Sequence, residues 1–316
     1  MWVEEKGLLL TPQQIRDIDE AGLKMLEQAG ILLEDEGMRA VLASQGCIVE
    51  GQRVWLPREF VEEVMEQVPP AFALYSRDGS KPLQIGGEDR TATNSGVMPR
   101  IYDLETEGLR LSTIQDIRDS TRILDALPRV GVVCATLVEP TDVPPEMSII
   151  QGFEATLRNT TKPILGPGPT SETEARWAVA LGSAIRGSQA ALVERPFFIP
   201  WLALASPLTY PAPLVAAIHV CAQAGLPLAF VTNPMTALTA PLTLAGALAQ
   251  MHAELLGATV IAQQVRLGTP CYTREQRPSQ TCIVLQRLKG GPKPASPFRL
   301  LSFWEDAGIF PLLASV

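Results

Sequence analysis

From Val130 to Val265 the chain repeats one pattern: a short apolar run without alternation, then a segment of helix length, then another apolar run. Such runs are strands covered on both faces, as in a parallel sheet, because a strand with one wet face would alternate apolar and polar residues. The strands read Val130–Val138, Lys162–Leu165, Phe197–Ala205 and Leu226–Thr232, with helices near 145–160, 171–188, 212–224 and 241–266. Repeats of about 30 to 35 residues in strict alternation predict parallel strands joined by right-handed crossovers. The fold class is therefore α/β, either a (β/α)8 TIM-type barrel or a doubly wound sheet. No GxGxxG follows any of the strands, which counts against dinucleotide binding.

The residues before this region read differently. Thr11 followed by Pro12 caps a helix whose apolar face runs through Ile15, Ile18, Leu23, Leu26 and Ile31 and which ends at Ala29-Gly30. A second helix over Met38–Gln45, a hairpin over Cys47–Leu56 turning at Glu50-Gly51-Gln52-Arg53, and a third helix over Pro57–Val68 follow. Residues 72–112 are richer in Gly, Asp and Thr and read as short antiparallel pieces, an accessory layer and not a barrel repeat. The division expected is an N-terminal α+β extension over 1–112, a partial β/α barrel over 113–270 and a divergent tail over 271–316.

Charge and cysteine usage exclude several functions. The 26 basic residues are outnumbered by 34 acidic ones and form no stripe, which argues against nucleic acid as a partner. Cys47, Cys134, Cys221, Cys271 and Cys282 show no CxxC spacing, so neither a disulfide framework nor a zinc site is expected and a reducing cytoplasm is the simplest compartment. The start MWVEEKGLLL carries acidic residues where a signal peptide needs basic ones, and no uncharged apolar run reaches the length of a membrane span. His219 and His252 fall on different helices without a second ligand at i+4, which favours structural roles over a metal site. Gly166-Pro167-Gly168 reads as a rigid turn, since no Lys-Ser or Lys-Thr follows as phosphate binding would require.

Several stretches carry a family resemblance: EQAGILLEDEGMRAVLASQGCIVEGQRVWLPREFVEE, IYDLETEGLRLSTIQDIRDSTRILDALPRV, TDVPP at 141–145, NTTKPI at 159–164, SPLTY at 206–210 and NPMTALTAPLTLAGALAQMHAE at 233–254. Through residue 270 the chain resembles the trimethylamine:corrinoid methyltransferase family, which includes glycine-betaine methyltransferases without pyrrolysine. The resemblance implies a (β/α)8 barrel that binds a tertiary or quaternary methylated amine. It also implies transfer of one methyl group to the Co(I) corrinoid of a separate partner protein, with no tightly bound cofactor of its own. A quaternary ammonium has no proton to gain, so such a site chiefly orients the C–N bond in line with the nucleophile and needs an aromatic or carboxylate lining for the cation.

Candidates for that lining sit at strand ends: Glu139, Thr141 and Asp142 after the first strand, Ser206, Thr209 and Tyr210 after the third, and Asn233, Met235 and Thr239 after the fourth. Competing readings stand beside them, with Asp142 as a helix cap and Tyr210 packed over a rim. No catalytic residue is assigned. Pyrrolysine-containing relatives carry that residue beyond the matching region, so no position here takes its role.

The tail departs from the family. Residues 271–316 hold six basic and three acidic residues, reversing the acidic balance before them, and show no β/α period. A frame shift near residue 270 is the expectation, leaving an incomplete barrel of about five strands whose exposed edges favour a homo-oligomer. The alternative is a short variant whose tail caps the fourth or fifth strand. Two other functions stay open: a quaternary-amine-binding protein or inactive fragment, and an aldolase or lyase, for which Lys162 lies at the wrong end of its strand.

Overall fold

Thr11 and Pro12 begin the first helix in a computed structural model that describes residues 10–272, except 81, 87–90, 95–97 and 136–137, together with Phe310 and Pro311. The expectations for 271–316 otherwise lie outside the described residues. Helix α1 (Pro12–Gln28) starts with a reciprocal cap: Thr11 Oγ1 accepts from the Gln14 N–H at 3.2 Å and the Gln14 side chain accepts from the Thr11 N–H at 2.8 Å. The helix stops before Gly30, whose φ of +69° turns the chain, so Ile31 leaves the helix face expected of it and opens strand β1 (Ile31–Leu33). Helix α2 (Glu36–Ser44), the hairpin β2 (Ile48–Glu50) and β3 (Arg53–Trp55), and helix α3 (Arg58–Glu66) follow as expected.

Strands β4 (Phe72–Leu74) and β5 (Leu83–Ile85) pair antiparallel; β6 (Ala92–Thr93) comes next, and β7 (Arg100–Asp103) and β8 (Gly108–Leu111) form a second antiparallel hairpin. Then come α4 (Ile114–Ala126), β9 (Val133–Cys134), α5 (Pro145–Asn159), β10 (Ile164–Leu165), α6 (Glu172–Arg186) and α7 (Gln189–Glu194). The sequence completes with β11 (Phe198–Ile199), β12 (Trp201–Ala203), β13 (Thr209–Tyr210), α8 (Ala212–Gln223), β14 (Ala229–Val231), α9 (Leu244–Val265) and β15 (Phe310–Pro311).

The pairings build a parallel ladder. Strand β10 lies between β9 and β11, and β12 pairs with β14. Strands β11 and β12 are one run interrupted at Pro200, which has no N–H to give but whose carbonyl accepts from the Ala229 N–H at 2.9 Å. On the far side the Leu228 N–H donates to the Pro270 carbonyl at 2.8 Å and the Tyr272 N–H to the Leu228 carbonyl at 2.7 Å. On the near side Ala92 bridges Val130 and Met98 bridges Val138, both parallel, and β15 lies beside β6. This corrects two expectations. Ala92 and Met98 join the ladder instead of an accessory antiparallel layer, and strand and helix do not alternate strictly, since α6 and α7 both separate β10 from β11. The result is a mixed α/β fold of several small sheets, and no closed barrel is present among the described residues.

The two faces of the ladder are covered by different parts of the chain. Val132, Leu165, Ile199, Trp201 and Ala229 share one face with Leu74 and Ile85 of the β4–β5 hairpin. On the opposite face Ile164 and Phe198 pack against Phe153 and Leu157 of α5, while Leu202, Leu204 and Phe230 join the core formed with α1, β1, α3, α8 and α9. Helix α9 is apolar on every side and is by length and composition long enough to cross a membrane, but 83% of that stretch is buried inside the fold. An all-round apolar helix of this kind is the central rod of a core.

Candidate functional site

The carboxyl ends of the parallel strands open onto a cavity of about 500 Å³. Ala135, Val138, Glu139 and Pro140 line it from the end of the β9 run, Gly168, Pro169 and Thr170 from the turn after β10, and Trp201, Ala203, Leu204 and Ala205 from β12 and its exit. Ser148, Ile149 and Gly152 of α5, Ile117 of α4 and Pro211, Pro213 and Leu214 at the start of α8 complete the described lining. Ligands gather at this end in parallel α/β folds because each strand delivers a loop there. The lining is apolar, and Glu139, exposed at the surface, is the one ionisable residue among the described residues that form it. Its backbone is fixed on both sides: the N–H donates to the Met98 carbonyl at 3.1 Å and the carbonyl accepts from Ser112 Oγ.

Gly168 has no side chain for a steric reason. A Cβ there would lie 2.8 Å from Nε1 and Cε2 of Trp201, so the turn after β10 rests directly on the indole. The Trp201 indole N–H is buried with no hydrogen-bond partner among the described residues.

The sequence candidates separate in space. Glu139 lines the cavity. Asp142 does not: its Oδ1 accepts from the Ile114 N–H at 2.8 Å, so it caps α4, and Thr141 Oγ1 donates to the Ser112 carbonyl at 2.9 Å. Thr209 Oγ1 turns back to the Pro207 carbonyl at 2.7 Å. Tyr210 is fully buried instead of lying on a rim, because β13 pairs in parallel with β1 and the Tyr210 hydroxyl donates to the Glu254 carbonyl at 2.6 Å. Burial first, then the Glu254 charge, pushes its phenol well above the ordinary range. Asn233 and Met235 are exposed on the loop after β14, where Thr239 Oγ1 accepts from the Met235 N–H at 2.8 Å. Lys162 donates to the Leu124 and Leu127 carbonyls at 2.9 and 2.8 Å, which makes it a cap for the end of α4 and removes it from any carbonyl chemistry.

Sequence reasoning missed Trp201 and Glu254. The Glu254 carboxylate, with none of its surface exposed, accepts from Ser206 Oγ at 2.8 Å, Thr232 Oγ1, the Leu208 N–H at 3.1 Å and Gln250 Nε2 at 2.9 Å. Gln250 Nε2 also donates to the Thr239 carbonyl at 2.7 Å. Four donors on two oxygens satisfy a buried carboxylate without a cation. The available signal was Gln250 and Glu254 at i,i+4 in a mostly apolar helix. His252, two residues before Glu254, bonds Asp19 of α1 through Nε2 at 2.8 Å, a structural role. Among the described residues no group of three or more His, Cys, Asp or Glu is placed to hold a metal ion.

Residues 6–277 match the model of a family described as Trimethylamine methyltransferase (MTTB). The chain is 30% identical over 262 residues to a glycine betaine methyltransferase of Desulfitobacterium hafniense (strain Y51), covering 83% of this chain and 54% of that protein. A trimethylamine methyltransferase of D. hafniense (strain DSM 10664 / DCB-2) is 27% identical over 271 residues, 85% of this chain and 54% of the relative. A proline betaine:corrinoid methyltransferase of Eubacterium limosum is 22% identical over 268 residues, 81% of this chain and 54% of the relative. The chain thus spans about half the length of the curated relatives it matches.

Proposed function

This chain belongs to the trimethylamine methyltransferase family, and from that premise we propose that its cavity binds a tertiary or quaternary methylated amine, such as trimethylamine or glycine betaine, for transfer of a methyl group to the corrinoid of a partner protein. The observation that carries the reading is the apolar cavity at the strand ends, with Trp201 and the carboxylate of Glu139 in its lining. Methyl groups on nitrogen are bulky and cannot hydrogen-bond, so they favour an apolar wall, while the positive charge favours an aromatic face and a carboxylate. No side chain has to supply a proton to a quaternary ammonium. The protein's share is to hold the C–N bond in line and keep water away, and the Co(I) corrinoid supplies the nucleophile.

The parallel ladder fits an arc of a (β/α)8 barrel, with Asn233, Met235 and Thr239 on a loop that reaches the same end as the cavity. Exposed Leu238 and Leu242 on that loop offer a partner an apolar landing surface. The half-length match keeps a second reading alive, an amine-binding protein that transfers nothing.

The test mixes the purified chain, cob(I)alamin and glycine betaine or trimethylamine, and follows the Co(I) absorbance band. Loss of the band with demethylated product is the outcome expected. Saturable calorimetric binding with a stable band would leave the binding reading, and no binding of either amine by a folded sample would overturn both.

A further inference from the structure

The polar cluster around Glu254 lies behind one wall of the cavity. That wall runs from Leu204 and Ala205 to Pro211, Pro213 and Leu214, all of which line the cavity. The residues between its two ends are the ones held by Glu254: Ser206 Oγ and the Leu208 N–H bind its carboxylate, and the Tyr210 hydroxyl binds its carbonyl. Thr232, at the exit of the neighbouring strand, binds the same carboxylate oxygen as Ser206, and Gln250 extends the network to Thr239. One side chain of α9 therefore fixes two strand-end loops from different repeats. No Lys, Arg or His pairs with this carboxylate among the described residues, so its charge is held by hydrogen bonds alone. A buried charge of that kind acts over longer distances than an exposed one, because little water screens it.

We propose that Glu254 is the positioning and charge-selecting residue of the amine site: it locks the Ala205–Pro211 wall and sets a negative charge behind it, so that the cavity prefers a ligand carrying an ammonium charge over the carbon isostere without it. This rests on the amine-binding reading above. The role is indirect, exerted through Ser206, Leu208 and Tyr210.

The experiment measures, by calorimetry, the affinity for glycine betaine and for 3,3-dimethylbutanoate, the carbon isostere that lacks only the ammonium charge. The wild-type chain is expected to prefer the betaine. Glu254→Gln keeps the shape of the side chain but removes the charge, and should lower that preference about tenfold. Thr232→Val removes one donor to Glu254 without touching the described lining, and should weaken both ligands to a similar extent while the preference survives. A purely structural glutamate would change both affinities together in Glu254→Gln and leave their ratio intact, and that result in a folded variant overturns the proposal. If Glu254→Gln does not fold, Thr232→Val decides alone: unchanged affinities for both ligands overturn the positioning role. Wild-type protein that binds neither ligand overturns the amine reading itself, and this inference with it.

Discussion

Tyr210 and Gly257 meet so closely that neither position tolerates ordinary substitution. A Cβ on Gly257 would lie 2.4 Å from the Tyr210 hydroxyl oxygen. Gly257→Ala should therefore cost about 1–3 kcal/mol as the packed ring is forced away. Tyr210→Phe removes the donor to the Glu254 carbonyl and should cost about 1–2 kcal/mol. Combined, the two should cost about 1 kcal/mol less than the sum, because phenylalanine lacks the atom in conflict; strictly additive urea midpoints would contradict this account. Glu139 behaves differently, being exposed at the cavity rim. Glu139→Gln should leave the melting temperature unchanged and weaken glycine betaine about threefold, as expected for a solvated charge. A calorimetric affinity equal to wild type would remove Glu139 from the site.

Helix α4 owes its start to its own Asp116 and to neighbours outside it. Asp142 caps the Ile114 N–H, and Asp116 accepts from the Thr113 N–H and hydroxyl at 2.8 and 2.9 Å while Arg110 grips it with two bonds of 2.7 Å. The Arg110 bonds chiefly, then those of Thr113, hold the Asp116 carboxyl at about 2 against the opposing effect of burial. A lowered folded value stabilises above the unfolded value of about 3.9 and is lost as pH falls through the folded one. The melting gap between wild type and Asp116→Asn should thus be full at pH 5 and close towards pH 2; a gap constant across that range would refute the assignment. This element also illustrates what the sequence reveals. Caps and periodicity act within a few residues, so α1, α2, α3, α5, α6 and α8 were readable within a residue or two, and α9 began three residues later than expected. The turn at Gly166–Gly168 was readable too, but its rest on Trp201 was not. Strands β1 and β6 escaped because a two- or three-residue strand has no period, and its existence depends on partners far along the chain: β13 for one, the Val130 run for the other. Tyr210 was misplaced for the same reason. Glu139 could be found because it follows a readable strand, whereas Glu254 could not, since spacing gives its helix face but not which loops that face meets.

At the scale of the molecule, α9 joins the N-terminal layer to the candidate site. Its His252 bonds Asp19 of α1, and two residues on its Glu254 gathers the loops after β12 and β14. Leu23, Leu26, Ile31, Val61 and Val64 share one buried core with Leu202, Leu228, Phe230, Leu256 and Val260, so residues 12–68 and the β12–β14 part of the ladder do not have separate interiors. A single interior of this kind unfolds as one unit. Urea curves followed by tryptophan fluorescence and by far-ultraviolet circular dichroism should coincide, because Trp55 stands in β3 of the N-terminal layer and Trp201 in β12 of the ladder. A chain starting at residue 70 would expose the apolar sides of α8 and α9 and should aggregate, since an uncovered face of that size seeks another apolar surface. A soluble, monomeric fragment with native helix content would show instead that the N-terminal layer is dispensable, and that the Glu254 network stands without the helix that backs it.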